Sequence, residues 1–180
     1  MNFEEVYKEH NGLVYNLALQ YVQNKEDAEE ITQDVFVILH NKLPSFNKNS
    51  KLSTWIYRIT INRSLDYLKA RKRKKRFGFL VSLFHEETAE PRREASDFDH
   101  PGVLLEHKEE LESLFQLING LSENQKTALI LMKVDGRTQN ETAEIMKVSA
   151  KAVESLVQRA KQNLLNKMAP SKEQRIKIVK

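Results

Sequence analysis

The 180-residue chain contains no cysteine, which excludes disulfide bridges and thiolate metal sites. It has only five Gly and four Pro, too few for the many turns of an all-β fold. No apolar run approaches the roughly 20 residues of a membrane span, and the acidic, amphipathic N-terminus is unlike a signal peptide. These absences predict a helical protein that stays in the cytoplasm and does not insert into a membrane.

The chain also lacks the short motifs of common enzyme sites. It contains no P-loop, no nucleophile elbow and no HExxH pair among its five His residues. A catalytic site needs several convergent groups. We therefore expect no enzymatic activity, no metal site and no cofactor.

Positive charge is present in modest excess, with a net charge of +4, but it is concentrated in one place. From Lys69 to Arg76 every residue except Ala70 is Lys or Arg. Such a run favours contact with a polyanion, because binding releases counterions. A predicted helix leads into this basic run, with Ser53 as its expected N-cap. A polar stripe recurs at helical spacing along this helix and comprises Arg58, Asn62, Asp66, Lys69 and Arg73. A solvated helix face is the alternative interpretation of this stripe and the basic run.

Two further amphipathic helices precede this one. Apolar spacing predicts the first from Phe3 to Tyr21 and the second from Lys25 to Asn41, capped by Asn24. Together the three helices predict an all-α N-terminal domain. The first half of the second helix is acidic, which suits either solvation with favourable dipole placement or docking of a basic partner helix.

A polar loop that carries one aromatic residue follows Leu43-Pro44. Phe46 lies in this loop, and Trp55 lies shortly after it in the third helix. Aromatic faces with nearby donors and cations suit an unstacked base. Burial in the core of the domain is the alternative for both rings.

The middle of the chain changes character twice. The apolar segment from Phe77 to Phe84 is either a satellite helix or a segment covered by a partner. From His85 to Asp99 the chain is acidic and is interrupted by Pro91, which is typical of a flexible linker.

A second helical domain is predicted from near Gly102. Its first helix ends at Asn119-Gly120, and a capping box at Ser122–Gln125 opens a helix that ends at Asp135-Gly136.

The end of this domain has the pattern of a helix-turn-helix. A second capping box, Thr138–Glu141, opens a short helix, and Ser149 caps a long one. The turn at Lys147 calls for a positive φ, which costs a Lys ~1 kcal/mol. A helical hairpin without a DNA role is the alternative. Side chains on the first turns of the long helix can reach base edges and phosphates.

Two long stretches resemble the sigma-70 family of bacterial transcription factors. The stretch EDAEEITQDVFVILHNKLPSFNKNSKLSTWIYRITINRSLDYLKARKRK resembles its second region. The stretch LSENQKTALILMKVDGRTQNETAEIMKVSAKAVESLVQRAKQNL resembles its fourth region. Nothing between them corresponds to a third region. This arrangement of two regions resembles the extracytoplasmic-function (ECF) subfamily.

The resemblance implies a promoter-specificity subunit of RNA polymerase with three sets of site residues. Core polymerase binding is expected at Asp27, Glu30, Gln33 and Asp34. Contacts with the minus-ten element are expected at Phe46, Asn47, Lys51, Ser53, Thr54, Trp55, Arg58, Asn62, Asp66, Lys69 and Arg73. Contacts with the minus-thirty-five element are expected at Thr138, Ser149, Lys151, Ala152, Glu154, Ser155, Gln158, Arg159 and Lys161.

The expected architecture is two small helical domains joined by a flexible linker. Residues 1–76 are the region 2 domain, 77–101 the linker, 102–168 the region 4 helix-turn-helix domain and 169–180 a basic tail. The implied partners are core RNA polymerase, promoter DNA and an anti-sigma factor, which is membrane-anchored for many ECF relatives. The rival hypothesis is a stand-alone DNA-binding activator or repressor with a helical sensor domain, which leaves the acidic face and the basic run unassigned.

Overall fold

The structure is a computed structural model that describes residues 2–47, 49–84 and 108–168. Within these ranges all regular secondary structure is helical, which confirms the predicted all-α class. The chain divides into two compact units, Met1–Val103 and Leu104–Lys180. Residues 85–101 of the predicted linker, the first residues of the predicted second domain and the basic tail lie outside the described residues.

In its described residues the first unit is a bundle of three helices, α1 (Phe3–Val22), α2 (Lys25–Lys42) and α3 (Leu52–Phe84). Each helix packs against the other two. Their apolar stripes meet in a core in which Leu17, Tyr21, Ile31, Leu39 and Ile56 are fully buried.

Local capping interactions set the ends of these helices. α1 ends at Val22, and the C-cap residue Gln23 adopts a left-handed conformation with φ of 56°. Asn24 caps α2 as predicted, because its Oδ1 accepts the backbone N–H of Asp27 at 2.8 Å. The expected cap of α3 is wrong. That helix begins one residue before Ser53, and its first backbone bond runs to the carbonyl of Lys51 (3.2 Å).

α3 does not end at the basic run. It continues as one helix of 33 residues to Phe84, a length of about 50 Å. Lys and Arg are good helix formers, so the run propagates the helix despite its self-repulsion. The apolar segment from Phe77 is therefore a continuation of α3, not a separate satellite helix.

The second unit contains α4 (Lys108–Asn119), α5 (Glu123–Leu129), α6 (Gln139–Met146) and α7 (Ala150–Met168). A π-helical turn, Ile130–Val134, extends α5. The small side chain of Ala143 packs at the crossing of α6 and α7, in a buried cluster with Ala128, Val153 and Val157.

The two predicted capping boxes have different outcomes. The Thr138 box is complete, since the Thr138 N–H donates to Glu141 Oε2 (2.8 Å) and the Glu141 N–H donates to Thr138 Oγ1 (3.2 Å). The other box is wrong in its side-chain contacts. Ser122 occupies the N-cap position without a side-chain capping bond, and Gln125 accepts from Asn163 Nδ2 at 3.1 Å instead.

The turn between α6 and α7 adopts the predicted strained conformation. Lys147 has φ of 55° and ψ of 44°, which is left-handed backbone. Its strain is offset by hydrogen bonds that close the turn, including Val148 N–H to the Ala143 carbonyl at 3.1 Å.

Substitutions at Lys147 should therefore separate backbone strain from side-chain loss. We expect Lys147→Val to lower the free energy of unfolding by ~1–2 kcal/mol, because a β-branched residue tolerates positive φ poorly. Lys147→Gly should lie within ~0.5 kcal/mol of the parent protein, since relief of strain is offset by a more flexible unfolded chain. Urea unfolding measures both. Lys161→Val, in exposed regular helix, is the control and should cost only a few tenths of a kcal/mol. Equal losses for the two Val variants would contradict the strain assignment.

Candidate partner and nucleic-acid interfaces

The outer surface of α2 carries an exposed line of side chains, here called the α2 stripe. It consists of Glu26, Glu30, Gln33 and Val37, spaced four, three and four residues apart on one side of the helix. Val37 is 61% exposed, unusually high for a large apolar side chain in a packed helix. Val37 is not among the docking residues predicted from the sequence, although its position off the buried stripe was a readable signal.

Two of the predicted docking carboxylates are held by α3. Asp34 Oδ2 accepts hydrogen bonds from Arg63 Nε at 2.8 Å and from Arg63 Nη2. Asp27 Oδ1 accepts from the Tyr67 hydroxyl at 2.6 Å, and Asp27 Oδ2 accepts from Arg71 Nη1 at 2.9 Å. These carboxylates therefore fasten α2 to α3, a role that the sequence pattern did not indicate.

The Tyr67 hydroxyl is a persistent donor in this cluster. Burial raises its pKa well above the usual value for tyrosine, and the hydrogen bond to Asp27 and the nearby negative charges of Asp27 and Glu30 raise it further. The phenol therefore stays protonated at neutral pH and continues to donate to Asp27.

A different face of α3 turns to solvent. On the predicted polar stripe, Asn62, Asp66, Lys69 and Arg73 are exposed and Arg58 is half-buried. The side chains of α3 that contact α2 lie on another side of the helix, four residues apart, at Arg63, Tyr67 and Arg71. A shallow depression beside the stripe is lined mainly by cations, namely Arg63, Lys69, Lys72, Arg73 and Arg76, with Asp66 and Ala70. This surface can contact phosphates through several side chains at once.

The loop before α3 folds back so that its aromatic ring lies on the helix. Phe46 follows a 3-10 turn, Leu43–Ser45, and its ring stacks on Trp55 with centroids 4.9 Å apart and planes inclined at 27°. Both rings are half-buried, so neither is the fully buried core residue of the alternative interpretation.

The polar residues around this stack are not all on the surface. Asn47 and Lys51 are exposed, and Ser53 is half-buried. Thr54 is buried, with 7% of its surface exposed, so unlike Asn47 and Lys51 it is not available on the surface. The accessible site is therefore an aromatic stack edged by amide and ammonium donors.

The first turns of α7 present the predicted polar face. Ser149 caps the helix, since its Oγ accepts the Ala152 N–H at 3.1 Å. Ala152 and Ser155 are half-buried, whereas the remaining predicted residues are exposed: Thr138, Ser149, Lys151, Glu154, Gln158, Arg159 and Lys161. Val153 and Val157 occupy the opposite, buried side. This amphipathic arrangement leaves the polar face of α7 open to a DNA groove.

Two other kinds of feature are absent from the parts of the chain that the structure describes. Across those ranges, no cluster of three or more His, Asp or Glu side chains could hold a metal ion. None of the described helices is long and apolar enough to span a membrane.

Comparison with known proteins identifies the chain. The family model for Sigma-70 region 2 matches residues 6–74, and the model for Sigma-70 region 4 matches residues 111–164. The ECF RNA polymerase sigma-E factor of Escherichia coli (strain K12) is 29% identical over 157 residues, covering 87% of this chain and 81% of the relative. The chain is an ECF sigma factor. The sigma-E factor of Haemophilus influenzae is 27% identical to it, over 93% of this sigma factor and 88% of the relative.

Solved structures share the fold of this sigma factor. The sigma factor RpoE of Bartonella quintana, in complex with the anti-sigma factor NepR, has a TM-score of 0.61 at 24% identity, covering 93% of this chain and 98% of that one. CnrH, in complex with the cytosolic domain of CnrY, has a TM-score of 0.60 at 20% identity, covering 90% of this chain and 84% of that one. The protein directs promoter recognition and transcription initiation, and its family consists of non-catalytic initiation factors.

Proposed function

We propose that the two units divide promoter recognition between them. Residues 1–76 dock on core RNA polymerase and open the minus-ten element, and residues 102–168 read the minus-thirty-five element. Residues 77–101 link them, and 169–180 form a basic tail. The observation that carries this assignment is that the three-helix bundle presents an acidic stripe on α2 and a cationic, aromatic-edged surface on α3 and its loop.

Core polymerase docks on α2 through Asp27, Glu30, Gln33 and Asp34. Glu30 and Gln33 are exposed and contact the partner directly. Asp27 and Asp34 keep α2 fastened to α3 through Arg71 and Arg63 and so hold the docking surface in place. A basic helix on the polymerase complements the negative charge of the α2 stripe, and the apolar Val37 extends the contact at the far end of the stripe.

The minus-ten element is opened on the surface of α3. Arg58, Lys69 and Arg73 contact phosphates and supply affinity that does not depend on sequence. Unstacking a base costs a few kcal/mol, which is offset when that base stacks at the Phe46 and Trp55 rings.

The minus-thirty-five element is read as duplex by α7. The N-terminal turns of a recognition helix reach base edges in the major groove while the preceding helix contacts the backbone. Lys151, Glu154, Gln158 and Arg159 have the required exposure and chemistry.

Three further properties belong to the same proposal. The protein performs no covalent chemistry of its own and acts in the cytoplasm, where polymerase and promoter DNA meet. An anti-sigma factor holds it inactive, as suggested by the sigma factor RpoE of the same fold, which was solved in complex with the anti-sigma factor NepR. That anti-sigma factor is anchored in the membrane.

Co-purification with core RNA polymerase, followed by run-off transcription on genomic fragments, tests this function. We expect a stable complex and transcripts from a limited set of promoters only when both components are present. Tight promoter binding without polymerase would instead favour the stand-alone activator or repressor.

Alanine substitution in α7 should show what its cations contact. If Arg159 or Lys151 makes a bidentate base contact, its replacement by Ala should cost ~1–3 kcal/mol of holoenzyme affinity for the cognate minus-thirty-five element. A phosphate contact would instead weaken binding to all sequences alike. It would also reduce the slope of log affinity against log salt concentration by about one unit. Filter binding over a salt series separates the two. Lys8→Ala, an exposed lysine on α1, is the control, and unchanged binding by both α7 variants would remove these residues from the site.

A further inference from the structure

One side-chain hydrogen bond ties the beginning of α6 to the beginning of α7. Gln139, the first residue of α6, donates from Nε2 to the carbonyl oxygen of Ala150 at 2.6 Å. Ala150 is the first residue of α7. The bond therefore acts on the turn that carries Lys151 and Glu154.

The buried cluster between the two helices restrains this turn less sharply than the hydrogen bond does. The buried cluster is built from the small side chains of Ala143, Val153 and Val157, with Met132 and Met146 packed against it. Apolar packing is not directional, and Met adapts its shape to its surroundings. A short hydrogen bond, in contrast, restricts both distance and angle.

Gln139 is itself held in a rigid frame. The residue before it, Thr138, exchanges capping bonds with Glu141. Arg137 Nε donates to Asp135 Oδ2 at 2.9 Å, and Arg137 Nη1 lies 3.6 Å from Glu141 Oε1. The start of α6 is thus fastened on both sides of Gln139. The Gln139 side chain can therefore hold the first turn of α7 at a fixed position relative to α6.

We propose that Gln139 is a positioning residue that sets the placement of the first turn of α7 against the bases of the minus-thirty-five element. Base contacts require the reading side chains to be held within roughly 0.5 Å of a productive geometry. Phosphate contacts tolerate displacement, because long Lys and Arg side chains can follow. Loss of the hydrogen bond from Gln139 to Ala150 therefore lowers discrimination between sequences more than it lowers binding to DNA in general.

The positioning role of Gln139 rests on the proposed reading of the minus-thirty-five element by α7. The test uses holoenzyme assembled with the full-length protein. The probes are a promoter duplex recovered from run-off transcription and the same duplex with its minus-thirty-five element scrambled. Gln139→Leu removes the donor, and Gln139→Glu keeps the size of the side chain but repels the Ala150 carbonyl. Both should reduce the ratio of the two affinities about threefold to tenfold, the range of one hydrogen bond. Asn140→Leu, at the exposed neighbouring position, should leave the ratio unchanged.

A double-mutant cycle with Lys151→Ala separates positioning from a direct contact of Gln139 with DNA. If Gln139 acts through α7, the Lys151→Ala effect shrinks in the Gln139→Leu background. Additive effects, or a fall in thermal stability with an unchanged affinity ratio in both Gln139 variants, overturn the positioning role. If the parent holoenzyme itself does not distinguish the two duplexes, the minus-thirty-five assignment fails and this role fails with it. If the parent holoenzyme distinguishes the two duplexes and the Gln139 variants do so equally well, the minus-thirty-five assignment stands and the positioning role of Gln139 is wrong.

Discussion

Reversing the charge of the α2 stripe with Glu30→Lys and Gln33→Lys is expected to abolish binding to core RNA polymerase while the protein remains folded. Both side chains are exposed, so their replacement should change stability by less than about 1 kcal/mol. Like charges brought together across an interface cost several kcal/mol, which is a loss of about a thousandfold in affinity. Fluorescence anisotropy with labelled protein measures this loss, and circular dichroism monitors the fold. A folded double variant that binds normally would show that the docking surface lies elsewhere.

Asp34 needs a different design, because its carboxylate is engaged within the fold. Asp34→Lys alone places a cation against Arg63 and should destabilise the first unit. The paired change Asp34→Lys with Arg63→Glu restores opposite charges across the same contact. If polymerase requires a carboxylate at this position of α2, the paired variant will be stable yet defective in docking. Normal docking by the paired variant would limit Asp34 to its structural role.

Shortening the loop by deletion of residues 47–49 is expected to leave closed-complex formation nearly intact and to prevent strand opening. The cationic stripe of α3 and the polar face of α7 supply most of the duplex affinity, so initial binding persists. The cost of unstacking is no longer offset once the Phe46 and Trp55 rings lose their geometry. A template that is already melted at the minus-ten element should restore most of the transcription.

Permanganate footprinting of unpaired thymines on duplex and premelted templates measures this separation. Trp55 is the only Trp in the chain, so its fluorescence reports directly on whether the stack survives in each variant. Tyr7→Ala changes an exposed aromatic residue of α1 outside the loop and should open promoters normally. Normal opening by the shortened protein would place melting at another part of the molecule.

Signals that act over a few residues were predictable from the sequence. The Asn24 cap, the Thr138 capping box and the left-handed Lys147 turn all depend on neighbours within four residues, and the structure confirms all three. The same applies to the buried and exposed faces of α7, because helical periodicity alone sorts its residues. The two failures at helix starts differ in kind: α3 begins one residue before Ser53, and Gln125 bonds to the distant Asn163 instead of completing the box with Ser122.

By itself, therefore, the sequence determined the helices, the helix-turn-helix and the resemblance that led to the family, since each is written in local spacing and residue type. Only the tertiary structure decided that Asp34 pairs with Arg63, 29 residues away, and Asp27 with Arg71, 44 residues away. It also decided that Phe46 stacks on Trp55 and that Gln139 reaches Ala150. Such contacts depend on the packing of one helix against another, and periodicity along a single helix shows which face is buried but not which residue of its neighbour that face will meet.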